Sequence, residues 1–141
     1  MRQTYETDRD RSNQEAAISF FAKHFGWDWV SMPPKSSFDY AVIKSPSRHI
    51  SGFVEVKCRN IEYGQYPDIM LSWHKLREAC VVGKPVALLV RWSDRLGWCL
   101  LDDSLWDTLE WGGRTSKTRD AWDEEPVIKI PNKNFRMIPY N

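Results

Sequence analysis

At 141 residues, the chain has the length of one ordinary domain and can bury a single core. Eight tryptophans and an aromatic share of 13% argue against a disordered chain. The formal net charge of +1 excludes a strongly polybasic or polyacidic protein, yet the charge is unevenly placed: residues 102–125 carry a net −5, leaving +6 on the remainder.

No apolar run approaches the ~18 residues of a spanning helix, and no basic-then-apolar leader is visible. The expectation is a soluble protein of the reducing cytoplasm with no membrane partner. The three cysteines, Cys58, Cys80 and Cys99, lie far apart in apolar segments and contain no Cys-x-x-Cys pair, so they read as reduced core thiols.

In chain order, residues 1–11 are polar without periodicity and read as a frayed arm. Ser12, Asn13, Gln14 and Glu15 make a capping-box pattern, followed by Ala16, Ala17, Phe20, Phe21 and His24 at helical spacing and by Gly26 as a stop. This predicts a helix over 12–25. Residues 27–32, 37–44 and 52–58 read as three strands, separated by Pro33-Pro34 and by a Ser/Pro/Gly-rich loop. After a loop over 59–67, Asp68 is placed to cap a second helix over 69–82, with Ile69, Met70, Trp73, Leu76 and Cys80 as its apolar stripe and Gly83 and Pro85 as its end. Residues 86–90 and 97–101 are apolar strands around a turn at 93–95; the first suits a strand buried on both faces. Beyond residue 101 the pattern weakens: a short helix over 104–111, a loop over 112–120, an edge strand over 127–130, and no assignment for 132–141. The order α, three strands, α, two strands predicts an α/β fold with a mixed sheet. We expect one domain over 1–141, with its core at about 12–101 and an acidic, Trp-rich extension over 102–141.

Residues 53–59, Phe-Val-Glu-Val-Lys-Cys-Arg, organise this layout. In an extended chain, side chains alternate between faces. Glu55 and Lys57 then share a face with Phe53, while Val54, Val56 and Cys58 turn to a core. If the second and third strands pair as a hairpin, Asp39 and Glu55 converge on one divalent cation with Lys57 beside it. Neither the scattered histidines, His24, His49 and His74, nor any Gly-rich phosphate loop offers a rival centre.

An acid, a hairpin spacer and then Glu-x-Lys resembles the signature of the PD-(D/E)xK nuclease superfamily, here over about residues 12–101. The residue before the acid is Phe38 rather than the superfamily's frequent proline. The resemblance implies a restriction-endonuclease-like α-β-β-β-α-β core and hydrolysis of phosphodiester bonds in DNA. It also implies Mg²⁺ as cofactor, with Mn²⁺ able to substitute, since Mg²⁺ needs few carboxylates and keeps several waters. The implied ligands are Asp39, Glu55 and the carbonyl of Val56, with Lys57 orienting water or neutralising charge. Glu15 has two readings: a helix cap, or an additional ligand of the kind many members carry in their first helix. Arg59, Lys75, Lys44 and Arg48 are the implied nucleic-acid contacts. Small Holliday-junction resolvases and phage-type nucleases of this kind suggest structure- or end-directed cleavage and a possible homodimer. RNA stays open as a substrate, because the metal site does not read the sugar. The alternative is a catalytically silent nuclease fold that binds DNA or a protein partner in a larger assembly.

Overall fold

The computed structural model describes residues 8–111 and 125–139. Its elements are α1 (Asp8–Phe25), β1 (Asp28–Ser31), β2 (Tyr40–Ile43), β3 (Gly52–Cys58), β4 (Asp68–Ser72), α2 (Trp73–Val81), β5 (Val86–Arg91) and β6 (Leu96–Leu100). A 3₁₀ helix (Asp103–Thr108), β7 (Leu109–Trp111), β8 (Pro126–Pro131), a short 3₁₀ turn (Asn132–Asn134) and β9 (Arg136–Ile138) follow. Six strands form a mixed sheet in the order β1-β2-β3-β5-β6-β9, in which only β3 and β5 run parallel. β4, β8 and β7 form a second, antiparallel sheet. The predicted α/β class with a mixed sheet is what the chain adopts.

Apolar side chains on the two faces of the main sheet explain the layers. On one face Ala17, Ile18 and Phe21 of α1 pack with Tyr40, Val42, Val54, Val56, Ala87 and Leu89. On the other, Leu76 and Ala79 of α2 and Ile69, Leu71, Ile128 and Ile130 of the second sheet pack with Val86, Leu88 and Val90. β5 is buried through five consecutive residues, as its unbroken apolar run requires. Gly52 allows β3 to approach β5 closely, because a Cβ there would stand 2.8 Å from the Pro85 carbonyl oxygen.

The structure corrects several boundaries. α1 starts at Asp8 rather than Ser12, so Ser12 and Glu15 lie inside a helix whose N–H groups already have partners, and the capping box does not act there. The polar residues 8–11 contain no Gly or Pro and extend the helix freely. Its end is as expected: Gly26 takes φ +73° and the Trp27 N–H returns to the Ala22 carbonyl at 2.8 Å. Asp68 caps no helix. Residues 68–72 alternate Ile69 and Leu71 inward with Met70 outward, and they pair with β8 from Asp68↔Pro131 to Ser72↔Val127. The helix begins one step later, with the Ser72 hydroxyl accepting the His74 N–H at 3.3 Å. Cys80 is consequently exposed rather than on the buried stripe. β8 lies in the middle of its sheet rather than at an edge, since β4 and β7 flank it. The helix expected over 104–111 is a 3₁₀ helix that gives way to β7, and the loop expected over 112–120 lies outside the described residues.

Candidate active site

β2 and β3 pair only from Val42↔Gly52 to Tyr40↔Val54, whereas β3 and β5 stay paired to Cys58↔Arg91. The sheet therefore opens into a notch beside the second half of β3. Main-chain groups alternate in direction along a strand. Phe53 N–H bonds the Pro85 oxygen and Arg59 N–H bonds the Arg91 oxygen, so the odd-numbered residues here face β5. Val56 accordingly presents its N–H and C=O to the notch. Asp39, the residue before β2, fills that gap: its Oδ2 accepts the Val56 N–H at 2.9 Å. The Val56 carbonyl faces the same space.

Glu55 lies on the α2 face of the sheet, its side chain only 12% exposed. Oε2 stands 3.4 Å from Lys75 Nζ, while Oε1 is buried without a hydrogen-bond partner among the described residues. Burial, and then the neighbouring Asp39 carboxylate, push the Glu55 pKa up to about 7 against the opposing pull of Lys75 and Lys57. Lys57, also half-buried, is pushed down to about 8, first by burial and then by the nearby Arg59 guanidinium. Lys75 also donates to the Ser37 carbonyl and lies 5.8 Å from the Phe38 ring centroid. Phe38, at the position where proline is frequent, is buried and stacks on Phe53 at 5.6 Å. The approach to Asp39 is thus fixed by packing below and by an ammonium above.

This environment fits a hard divalent cation. The Asp39 carboxylate stands close enough to Glu55 to raise its proton affinity, one buried Glu55 oxygen lacks a partner among the described residues, and a main-chain carbonyl faces the same notch. Two side-chain oxygens and a carbonyl leave half of an octahedral shell to water, as a hard, strongly hydrated cation requires.

Asp39, Glu55, Val56, Lys57 and Lys75 are brought together as the sequence suggests, with Arg59 adjacent. Lys75, grouped by sequence with the nucleic-acid contacts, holds Glu55 and the Ser37 carbonyl. Glu15 belongs to the helix on the opposite face of the sheet, and among the described residues no group of three or more acidic, His or Cys side chains gathers for a metal. Lys44 lies at the far end of β2, its ammonium 4.5 Å from the Trp27 ring centroid, and Arg48 is exposed in the following loop. Arg91, which sequence reading did not single out, is within hydrogen-bond reach of the Cys58 thiol where the β3–β5 pairing ends. Its position at the close of the apolar β5 run, in register with Cys58, was the available signal.

No curated protein matches the chain. Residues 1–138 match the family model described as "Phage putative PDDEXK endonuclease". The chain belongs to this phage PDDEXK endonuclease family, and through it to the PD-(D/E)xK nuclease superfamily.

Proposed function

We propose that the protein is a divalent-metal-dependent endonuclease that hydrolyses DNA phosphodiester bonds, with Asp39, Glu55 and the Val56 carbonyl as the metal-holding groups. The observation that carries this reading is the buried Glu55 Oε1, which has no partner among the described residues and stands beside a second carboxylate. Mg²⁺, or Mn²⁺ in its place, would polarise the phosphoryl oxygen and lower the pKa of a bound water. Lys57, with a pKa near 8, carries its proton at neutral pH; it orients the water or neutralises charge on the phosphate. Arg59 clamps a non-bridging phosphate oxygen with its planar donors. Lys75 holds Glu55 and the Ser37 carbonyl, and so keeps both carboxylates in place before substrate arrives. All described elements pack around the two sheets and none builds a separate base-reading unit, which supports preference for DNA structure or ends over sequence.

The test is cleavage of labelled duplex, single-stranded and four-way-junction DNA with Mg²⁺ or Mn²⁺. Wild-type protein should cut only with metal; Glu55→Ala should abolish cutting and Lys57→Ala should slow it by about 10²-fold or more. Binding without cutting by all three proteins would overturn the catalytic reading in favour of a silent DNA-binding module.

A further inference from the structure

The loop between β3 and β4 is bound to the β5–β6 turn at several points. Ser93 N–H bonds the Ile61 carbonyl at 2.9 Å, and Tyr63 N–H bonds Asp94 Oδ1 at 2.8 Å. The Tyr63 ring packs edge-on against the buried Trp92 at 5.1 Å, and the Arg95 guanidinium lies 4.6 Å from the Tyr63 ring centroid. Further along, Asn132 Nδ2 donates to the Tyr66 carbonyl at 2.6 Å, and its backbone N–H bonds the Pro67 carbonyl. The loop is a fixed platform.

Strand register places this platform relative to the notch. Trp92 N–H bonds the Arg95 carbonyl, next to the Arg91↔Leu96 pair, so Arg95 lies opposite Trp92 on the same face. Trp92 shares its face with Leu88 and Val90, and Val90 is in register with Lys57. Arg95 therefore stands on the face that carries Glu55 and Lys57, at the same end of the sheet. Two residues along and two strands across amounts to roughly 12 Å between the Cα atoms of Lys57 and Arg95. Arg59 occupies the interval, near enough to Lys57 to depress its pKa.

Arg95 and Arg59 are only loosely engaged among the described residues. Arg95 Nε is 3.7 Å from Asp94 Oδ2, a long contact between half-exposed groups. Its remaining guanidinium donors meet no partner among the described residues, and the Arg59 guanidinium has no ion pair there either. Asp94, the acid beside Arg95, also accepts the Tyr63 N–H. A stacked, half-exposed guanidinium on a rigid loop loses little conformational freedom on meeting an anion.

We infer that the Tyr63–Arg95 platform, continued by Arg59, binds the sugar–phosphate backbone of the DNA strand flanking the cleaved bond. This rests on the nuclease reading above. The platform sets the path of the strand away from the notch, and Arg95 contacts phosphate without taking part in the chemistry.

The experiment measures binding of a labelled duplex of about 20 base pairs, by fluorescence anisotropy without metal across about 50–200 mM salt, and steady-state cleavage with Mg²⁺. Arg95→Ala should weaken binding about tenfold, reduce the slope of log Kd against log salt by about one, and raise KM while leaving kcat within about twofold. Arg95→Lys should restore the slope but only part of the affinity, because it returns the charge without the stacked fork. Arg136→Ala, on the opposite face over Trp98, should leave the slope unchanged. An Arg95→Ala protein that melts at lower temperature but keeps the wild-type slope and KM would show that Arg95 only locks the loop. That result overturns the platform and leaves the nuclease reading intact. If Arg95→Ala does not fold, the same slope and KM comparison on Arg95→Gln decides. Wild-type protein that neither binds nor cuts DNA overturns both.

Discussion

Glu55 couples the stability of the protein to its chemistry. Its folded pKa of about 7 lies above the ordinary 4.5, so the folded protein holds this proton more tightly than the unfolded chain does. The corresponding stabilisation is complete below about pH 4.5 and is lost as pH rises through about 7. The shift corresponds to at most about 3 kcal/mol. In metal-free buffer, thermal melts between pH 5 and 8 should show the wild-type midpoint falling with pH, and Glu55→Gln should flatten that dependence and melt higher at pH 8. A divalent cation should restore the wild-type midpoint at pH 8 and leave Glu55→Gln unmoved; equal pH slopes in the two proteins would contradict the placement of Glu55. Metal binding should weaken below about pH 7, where protons compete for the same oxygens. Lys57 acts in the opposite sense. A lysine depressed to about 8 is costly to keep charged at neutral pH, so the lysine proposed to act in cleavage is held at the expense of stability.

At the scale of elements, α2 delivers Lys75 to the site, and its start decides whether Lys75 arrives. The Ser72 hydroxyl caps the helix three residues before Lys75. Ser72→Ala should cost about 1 kcal/mol in a urea melt and, by fraying the first turn, should reduce cleavage more than a cap lost far from the site would. Unchanged cleavage at reduced stability would show that Lys75 is held by its own contacts alone. This boundary also marks where sequence reading stops. β3, β5 and β6 were legible because Val54 and Val56, the run from Val86 to Val90, and the turn before Leu96 carry local period and punctuation. The hairpin that brings Asp39 to Glu55 was legible for the same reason. Residues 68–72 were not: Asp-Ile-Met-Leu-Ser suits a capped helix or a strand equally well, and the choice is made by Ile128 and Ile130, about sixty positions away. The missed strand shifts the helix start by four residues, from 69 to 73. That shift decides that Lys75 lies in the first turn, where it can reach both Ser37 and Glu55.

At the scale of the molecule, two sheets share one apolar layer. Leu88, Val90 and Cys99 of the first meet Ile69, Leu71, Ile128 and Ile130 of the second, with Leu76 between. Strands from the last third of the chain thereby enclose the α2 face that bears Glu55. Amide exchange should rank accordingly: β3 and β5, paired on their buried flanks, should exchange slowest, and β7, exposed at all three residues, fastest among the strands. Comparable protection in β7 and β5 would mean that the second sheet is fastened more firmly than its packing indicates.

The Asp39–Val56 hydrogen bond gives the site a spectroscopic handle. A main-chain proton that donates to a carboxylate is sensitive to whatever else that carboxylate binds. The Val56 amide should therefore appear as an outlying resonance in a nitrogen–proton correlation spectrum and move with each aliquot of a diamagnetic divalent ion. Its titration curve would follow cation occupancy in the absence of any nucleic acid, at a nucleus within the peptide group that joins Glu55 to Val56.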